Sequence, residues 1–225
     1  MHPTALMNCE RFFQCYLNNL DYNRNITIVE IGSQDVNGSL RSIAPKDSKY
    51  IGVDFIAGKG VDLVLDSPYE LPFADNSIDI ILSSSCFEHS EMYWLVFLEI
   101  MRSLKPEGLF YLNAPSNGVY HRFPVDCWRF FPDSGKALIT WARKNKCNTV
   151  LLESYVSNQH IHEWNDFVGI FLKDENHASK YPNRVIDTFH DFRNGHKYGC
   201  TEILQHSDLT EDREKIISIK NGTNT

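Results

Sequence analysis

The stretch from residue 26 to residue 38 reads Ile-Thr-Ile-Val-Glu-Ile-Gly-Ser-Gln-Asp-Val-Asn-Gly, and it decides the fold. Its first six residues are mostly β-branched and lead into Gly32, a pattern typical of a buried strand followed by a turn. Similar runs follow at residues 49–54, 61–66 and 77–83. Helical patterns separate the later strands, and this alternation predicts a parallel sheet with helices on both faces.

The remaining elements extend this pattern on both sides. We predict an N-terminal helix over residues 5–20 and two further helices over 91–104 and 132–146. The chain is interpreted as three parts: a capping helix (1–25), a ligand-binding domain (26–173), and a partly ordered C-terminal extension with a frayed end (174–225). Further strands are predicted at 109–114, 150–156 and 166–173.

Composition and charge exclude several functional classes. The chain has 225 residues, of which 42% are hydrophobic and 23% charged, as in a soluble globular protein. The net charge of −7 argues against a nucleic-acid partner held by a basic surface. Apolar runs fall short of the ~20 residues of a membrane span, and the first ten residues lack a signal-peptide pattern. We therefore expect a cytoplasmic protein without membrane insertion, and the sequence does not predict its oligomeric state.

Polar residues at the predicted strand ends indicate a ligand site. In such sheets, ligands bind at the carboxyl ends of the strands. Gly32 lets the backbone turn tightly against a ligand. Asp54 follows 22 residues later, the usual spacing for a carboxylate that accepts both hydroxyls of a ribose. Asp66 ends the third strand, where it could accept a hydrogen bond from a purine amino group, and the small residues Ser83, Ser84 and Ser85 leave room after the fourth.

These features favour a nucleoside-type ligand over a dinucleotide. A dinucleotide site needs a G-x-G-x-x-G motif after the first strand, but Gln34 occupies the second glycine position. NAD is therefore disfavoured as a cofactor.

Several separate motifs, taken in order, resemble class I S-adenosylmethionine-dependent methyltransferases of the type 11 group. They are Glu30-Ile-Gly32, Asp54, residues 66–79, Phe87-Glu-His89 and residues 98–108. The resemblance covers about residues 26–115. It implies a three-layer Rossmann-like sandwich with a seven-stranded, mostly parallel sheet and an antiparallel last strand. It also implies S-adenosylmethionine as cofactor, with Glu30 and Gly32 at its methionine end, Asp54 at the ribose and Asp66 at the adenine; Ser33 and Ser84 complete the predicted set.

The segment after the fifth predicted strand carries the candidate acceptor residues. Residues 121–129 read His-Arg-Phe-Pro-Val-Asp-Cys-Trp-Arg. They resemble the His-x-x-Pro-x-Asp-x-Trp-Arg signature of methyltransferases associated with surface-polysaccharide and glycan biosynthesis. A hydroxyl acceptor needs a base, and histidine is the natural one near neutral pH. We predict His121 as general base and Asp126 as the group that orients either His121 or the substrate. Arg122 or Arg129 would bind an anionic part of the acceptor, and Trp128 would stack on a sugar.

Other interpretations of these residues stay open. Asp126 and Arg129 could form a structural ion pair, and Trp128 could belong to the core. His160 and His162, between the last two strands, could contact the acceptor or supply two ligands of a metal. Because a third ligand is not evident there, a metal site is not predicted. His89 could contact the cofactor or the acceptor, or it could cap the following helix.

The resulting hypothesis is an S-adenosylmethionine-dependent methyltransferase that acts on a small-molecule or glycan acceptor, with a sugar hydroxyl favoured. Methylation of nitrogen or carbon on another small molecule is the enzymatic alternative. The alternative from another class is a non-catalytic subunit that binds the cofactor and serves an interaction role.

Overall fold

The computed structural model describes residues 2–17, 25–158 and 164–208. Eight strands form one sheet in the order β3-β2-β1-β4-β5-β7-β6-β8. The strands are β1 (Thr27–Ile31), β2 (Lys49–Asp54), β3 (Leu63–Val64), β4 (Ile78–Ser84), β5 (Leu104–Pro115), β6 (Val150–Ser157), β7 (Asp166–Leu172) and β8 (Phe192–Lys197). The helices are α1 (Pro3–Tyr16), α2 (Tyr93–Ser103) and α3 (Ser134–Lys144).

The strand directions confirm the predicted fold class. Strand β1 is parallel to β2 and β4, and β4 is parallel to β5. Strand β7 runs antiparallel to both β5 and β6. This arrangement brings the carboxyl ends of β1, β2 and β4 to one edge of the sheet, where a ligand site was predicted.

The predicted number of seven strands was wrong, because β8 pairs antiparallel with β6 and adds an eighth. Its sequence, Phe-Arg-Asn-Gly-His-Lys over residues 192–197, contains Asn194 and Gly195, which are residue types depleted in strands. Asn194 has a positive φ of 52°, and the pairing shifts register between Ser154 and Val156 of β6. An irregular edge strand of this kind lacks the alternation by which the other strands were predicted.

Helix α1 packs against one face of the sheet. It begins at Pro3, two residues before the predicted start, and its buried residues Cys9, Phe12 and Tyr16 lie in the same core cluster as strands β1, β4 and β5. The phenol of Tyr16 donates a hydrogen bond of 2.6 Å to the buried carboxylate of Glu153 on β6. The N-terminal helix is thus joined to the sheet by both apolar packing and a buried polar contact.

The opposite face of the sheet is covered by α2 and α3. Phe97, Ile100 and Met101 of α2 and Leu138 of α3 are almost fully buried against it. Helix α2 ends at Ser103 and β5 starts at Leu104, so the predicted turn at residues 105–108 lies within an early, irregular part of the strand. No helix in the described part of the chain is long and apolar enough to cross a membrane.

Candidate functional site

A crevice of about 720 Å³ opens at the carboxyl ends of β1, β2 and β4, a volume in the range of small-molecule sites. Eight residues of the predicted site line it: Glu30, Gly32, Ser33, Asp54, Ser84, His89, His121 and Arg122. Four others, Asp66, Asp126, Trp128 and Arg129, are not part of the lining that the described residues form. The predictions for His160 and His162 fall outside the described residues.

The end of β1 carries a buried acid and a tight turn. Glu30 is 2% exposed, and its Oε2 accepts a hydrogen bond of 2.7 Å from the phenol of Tyr50. Burial raises the pKa of this carboxyl above its ordinary value. Gly32 follows with a φ of +77°, and a Cβ at this position would lie 2.6 Å from both Cβ and Sγ of Cys86. Both the backbone conformation and the close approach of Cys86 require glycine here.

Two serines that line the same crevice carry buried hydroxyls. The Oγ atoms of Ser33 and Ser84 are shielded from solvent and have no hydrogen-bond partner among residues 2–17, 25–158 and 164–208. Buried polar atoms usually have partners, so unpaired hydroxyls at a crevice wall are suited to a ligand with polar groups. With the acids Glu30 and Asp54 beside them, they fit a cofactor that carries amino, carboxylate and hydroxyl groups.

Asp54 ends β2 with its carboxylate fixed by backbone donors. Its Oδ2 accepts from the N–H of Gln34 at 3.2 Å, and its Oδ1 accepts from the N–H of Ile56 at 3.1 Å. Each oxygen keeps a further lone pair for a hydroxyl of the ligand. Asp66, by contrast, is exposed beyond β3, while its neighbour Leu65 lines the crevice. The structure thus groups Asp54 with the β1 residues and leaves Asp66 apart.

The loop that follows β5 is held by an ion pair. Arg129 donates two hydrogen bonds to the two carboxylate oxygens of Asp126, at 2.6 and 2.9 Å. Asp126 Oδ2 also accepts from the backbone N–H of His121 at 2.7 Å. The bonds from Arg129 are the main reason that the pKa of Asp126 is lowered to about 2. Arg129 also donates to the carbonyl oxygens of Val119 and Trp128, which gives it a structural position in this loop.

His121 projects from this loop into the crevice. Its Nδ1 lies 3.2 Å from the carbonyl oxygen of Val119 and 3.4 Å from Asp126 Oδ2. Its ring meets those of His89 and Trp164 edge-on, with centroid separations of 4.8 and 4.9 Å. The predicted pairing of His121 with Asp126 is therefore present in the structure, and the interactions at Nδ1 leave Nε2 available for a ligand.

Glu88 is a crevice residue that we did not select from the sequence. Its side chain is 1% exposed, and Oε2 has no hydrogen-bond partner within the described ranges. Burial raises the pKa of Glu88 to about 8. Glu88 Oε1 lies 3.7 Å from Nε2 of His89, whose Nδ1 is 2.5 Å from the carbonyl oxygen of Val125. The sequence signal for it was its place within the Phe87-Glu-His89 motif.

Asp166 and His2 are two further residues that sequence reasoning missed. Asp166 begins β7, is 1% exposed and lines the crevice, and its Oδ1 lies 3.3 Å from His2 Nε2. Trp164 lies beside Gly118, where a Cβ would come within 1.9 Å of the indole ring. His2 directly precedes α1, whereas Asp166 is brought to the site by the antiparallel pairing of β7 with β5, which places it opposite Pro115.

Trp128 and Arg122 occupy different positions relative to the crevice. The indole Nε1 of Trp128 donates to the carbonyl oxygen of Ser90 at 2.9 Å, and the ring packs edge-on against Tyr93 and Trp94. This places Trp128 beside the start of α2. Arg122 lines the crevice, and its Nε donates to the carbonyl oxygen of Pro124 at 3.1 Å.

Comparison with protein families gives a match over the first half of the chain. Residues 15–112 match the family described as a methyltransferase domain. An uncharacterised methyltransferase of Mycobacterium tuberculosis is 39% identical over 69 residues, which cover 31% of this chain and 27% of that relative. One from Mycolicibacterium gilvum is 32% identical over 83 residues, or 37% of this chain and 29% of the relative. The alignments thus span under a third of the curated relatives.

Solved structures with the same fold include methyltransferases. The 1,6-didemethyltoxoflavin-N1-methyltransferase of Burkholderia thailandensis, solved with S-adenosylhomocysteine, covers 76% of this chain and 79% of its own, with a TM-score of 0.58 and 13% identity. A putative sarcosine dimethylglycine methyltransferase from Galdieria sulphuraria covers 75% and 86%, with a TM-score of 0.53 and 16% identity. At these identities the structural likeness concerns the fold.

The family match, the strand order and the position of the crevice all agree with the predicted methyltransferase fold. They favour the predicted enzyme class and the predicted cofactor, while the residue assignments and the acceptor stay predictions. Residues 15–112 are thus similar to a methyltransferase domain, and the sheet carries the fold of S-adenosylmethionine-dependent methyltransferases.

Proposed function

We propose that this protein transfers a methyl group from S-adenosylmethionine to an oxygen of a small-molecule or glycan acceptor, with a sugar hydroxyl favoured. One observation carries the choice of oxygen: His121 lines the same crevice as Glu30, Gly32 and Asp54, with Nδ1 engaged and Nε2 available. A hydroxyl must lose its proton as its oxygen is methylated, and imidazole accepts protons near neutral pH.

S-adenosylmethionine supplies a methyl group on a positively charged sulfur, which is already activated for transfer. The protein's main tasks are then to position the acceptor and to exclude water. In our proposal Glu30, Ser33, Asp54 and Ser84 hold the cofactor. His121 accepts the hydroxyl proton at Nε2, and Asp126 fixes the loop through its bond to the His121 N–H.

Three features of the crevice support a sugar-containing acceptor. Phe123 and Trp164 offer aromatic surfaces beside His121, and apolar ring faces suit the C–H faces of a sugar. Arg122 lies in the same lining and could bind a phosphate of a nucleotide sugar or an acidic sugar. The resemblance of residues 121–129 to the glycan-associated signature points the same way. Trp128 is not one of the residues that line the crevice, so as a sugar platform it would contact the acceptor outside the crevice.

The first test is cofactor binding by the full chain. Calorimetric titration with S-adenosylmethionine and S-adenosylhomocysteine is expected to give one site per chain, with affinity lost in Asp54→Ala. The surface variant His190→Ala, far from the predicted residues in sequence and exposed, is the matched control. Retention of full affinity in Asp54→Ala would contradict the assignment of Asp54 to the ribose.

The second test is turnover, followed by mass spectrometry of methylated products from nucleotide sugars, glycans and small polyols. His121→Ala is expected to lower turnover by about 100-fold or more while cofactor affinity is kept. Normal turnover in His121→Ala would overturn the base assignment. A product methylated at nitrogen or carbon would favour the enzymatic alternative, and cofactor binding without any turnover would favour the interaction subunit.

A further inference from the structure

Three side chains that can bind metals converge on the acceptor side of the crevice. Glu88, His89 and His121 each direct one ligand atom to a common region, and these atoms all lie within 4.8 Å of one another. Within residues 2–17, 25–158 and 164–208, this is the one such group of three or more His, Cys, Asp or Glu residues. All three residues line the crevice.

Both imidazoles are held in the way that metal-binding histidines are usually held. Nδ1 of His89 lies 2.5 Å from the carbonyl oxygen of Val125, and Nδ1 of His121 lies 3.2 Å from that of Val119. A carbonyl can only accept, so each Nδ1 carries the proton and each Nε2 keeps a lone pair. A backbone acceptor at one ring nitrogen, which fixes the tautomer and the orientation for a metal at the other, is typical of metal sites.

Glu88 supplies the carboxyl oxygen of the cluster. Its side chain is 1% exposed and Oε1 is 3.7 Å from His89 Nε2, while Oε2 has no hydrogen-bond partner in the described part of the chain. Its position is fixed by the main chain, because its carbonyl oxygen accepts from the N–H groups of Cys127 and Trp128 at 2.8 and 3.2 Å. A buried carboxylate with an unpaired oxygen needs a partner, and a cation that two imidazoles also bind would provide one.

We propose that Glu88, His89 and His121 form a binding site for a divalent transition-metal ion of the Zn²⁺ class. Two imidazole nitrogens and one carboxylate oxygen suit Zn²⁺ or Co²⁺, whereas Mg²⁺ and Ca²⁺ prefer sites made of oxygen alone. Ligand atoms in a tetrahedral zinc site lie about 3.3 Å apart, given bonds of ~2.0–2.1 Å. The Glu88–His89 pair, at 3.7 Å, is close to this separation, and all three ligand atoms lie within 4.8 Å of one another.

The proposed site has a consequence for the proposed function. His121 cannot use the Nε2 lone pair both to bind a metal and to accept the proton of an acceptor. The metal-bound protein is therefore expected to bind S-adenosylmethionine but to be inactive. This consequence rests on the proposed function, whereas metal binding itself does not.

Metal binding is tested on the full chain after removal of metals with a chelator. Titration with Co²⁺ is expected to produce the visible absorption of a low-symmetry site with one ion per chain, and Zn²⁺ is expected to displace it. Glu88→Gln, which keeps the shape of the side chain, and His121→Ala should each weaken Co²⁺ binding by at least tenfold. Loss of a residue that merely supports a metal ligand typically costs about 10- to 100-fold in metal affinity, so loss of a ligand itself should cost at least as much. His190→Ala controls for surface histidines.

Circular dichroism and S-adenosylmethionine affinity of each variant show whether it has folded. The proposal is overturned if Co²⁺ gives no absorption change, or if Glu88→Gln and His121→Ala bind Co²⁺ as tightly as the unaltered protein. His89→Ala provides a third readout if one of these variants fails to fold.

The two proposals can fail separately. If the protein binds S-adenosylmethionine and methylates an acceptor but does not bind Co²⁺, the metal site is refuted and the proposed function stands. If Zn²⁺ binds at the cluster and increases turnover instead of abolishing it, the site is supported and the role of His121 as proton acceptor is wrong. Inhibition that a chelator reverses, and that Glu88→Gln weakens, supports both.

Discussion

The ion pair between Asp126 and Arg129 provides a quantitative prediction for the acceptor loop. Asp126 is 2% exposed, receives two bonds from Arg129 and one from the N–H of His121, and has its pKa lowered to about 2. Relative to the ordinary aspartate pKa of ~3.9, this corresponds to roughly 2–3 kcal/mol of stabilisation of the charged form. Asp126→Asn, which keeps the shape but removes the charge, should therefore destabilise the loop by about 2–3 kcal/mol at pH 7.

The pH dependence follows from the direction of the pKa change. Because the folded protein lowers the pKa of Asp126, the stabilisation is complete above the unfolded value of ~3.9 and is lost as the pH falls towards about 2. As far as Asp126 alone determines it, the difference in unfolding free energy between the unaltered protein and Asp126→Asn should thus be constant from pH 5 to pH 7. This difference should shrink below about pH 4. A difference that grew towards low pH would refute this explanation.

Two measurements together detect the effect. Urea unfolding followed by tryptophan fluorescence gives the global free energy of unfolding, and hydrogen exchange at the backbone N–H of His121 reports on opening of the loop alone. The exchange rate should rise by roughly 30- to 150-fold if 2–3 kcal/mol is lost locally. Asp133→Asn is the matched control, because the Asp133–Lys136 pair has the same spacing but its side chains are 80% and 54% exposed.

Exposed pairs of this kind contribute below about 1 kcal/mol, so the control should change little. If Asp126→Asn alters neither the unfolding free energy nor the exchange of the His121 N–H, the ion pair does not hold the loop. The structural position that we assign to Arg129 would then be wrong as well.

Two further predictions concern the cofactor end of the crevice. Gly32→Ala should abolish S-adenosylmethionine binding in calorimetry, because its Cβ would lie 2.6 Å from Cys86. Gly38→Ala is the control, since Gly38 has a φ of +116° but open space around it, and it should suffer only backbone strain. An equal loss of affinity in both variants would show that the contact with Cys86 is not the cause. Burial raises the pKa of Glu30, and a positively charged ligand favours its ionised form, so cofactor binding at about pH 5 should release protons and tighten with rising pH. Titration in buffers of different ionisation enthalpy measures this release, which should disappear in Glu30→Gln.

The cofactor end was predictable because local sequence determines it. The β-branched run before Gly32 forms β1, and parallel pairing then brings Glu30 beside Gly52 of β2. Asp54 ends the next strand, and because β1 and β2 are parallel it must lie at the same edge of the sheet. Asp66 shows the limit of this argument, because β3 has only two residues and its pairing with β2 ends at Asp54 and Val64. Its side chain consequently lies in solvent.

The acceptor side was predictable only in part, because its contacts join loops that are far apart in the sequence. His121 and Asp126, which the sequence analysis paired, lie in contact because a short segment connects them. The approach of His121 to His89 depends instead on main-chain contacts, in which residues 125 and 127 bond to residues 89 and 88. Residue types alone do not specify such contacts.

These same contacts explain why the loop after β5 affects both the proposed methyl transfer and the proposed metal binding. The N–H groups of Cys127 and Trp128 fix the main chain of Glu88, and the carbonyl of Val125 fixes the ring of His89. The ion pair of Asp126 with Arg129 holds the segment from which all of these groups come. Loosening that pair should therefore disturb the metal ligands and the proton acceptor together, while the β1 and β2 residues that bind the cofactor stay in place because strand pairing holds them. A variant such as Asp126→Asn thus separates the two halves of the crevice: unchanged S-adenosylmethionine affinity combined with weaker Co²⁺ binding is the result that this architecture requires.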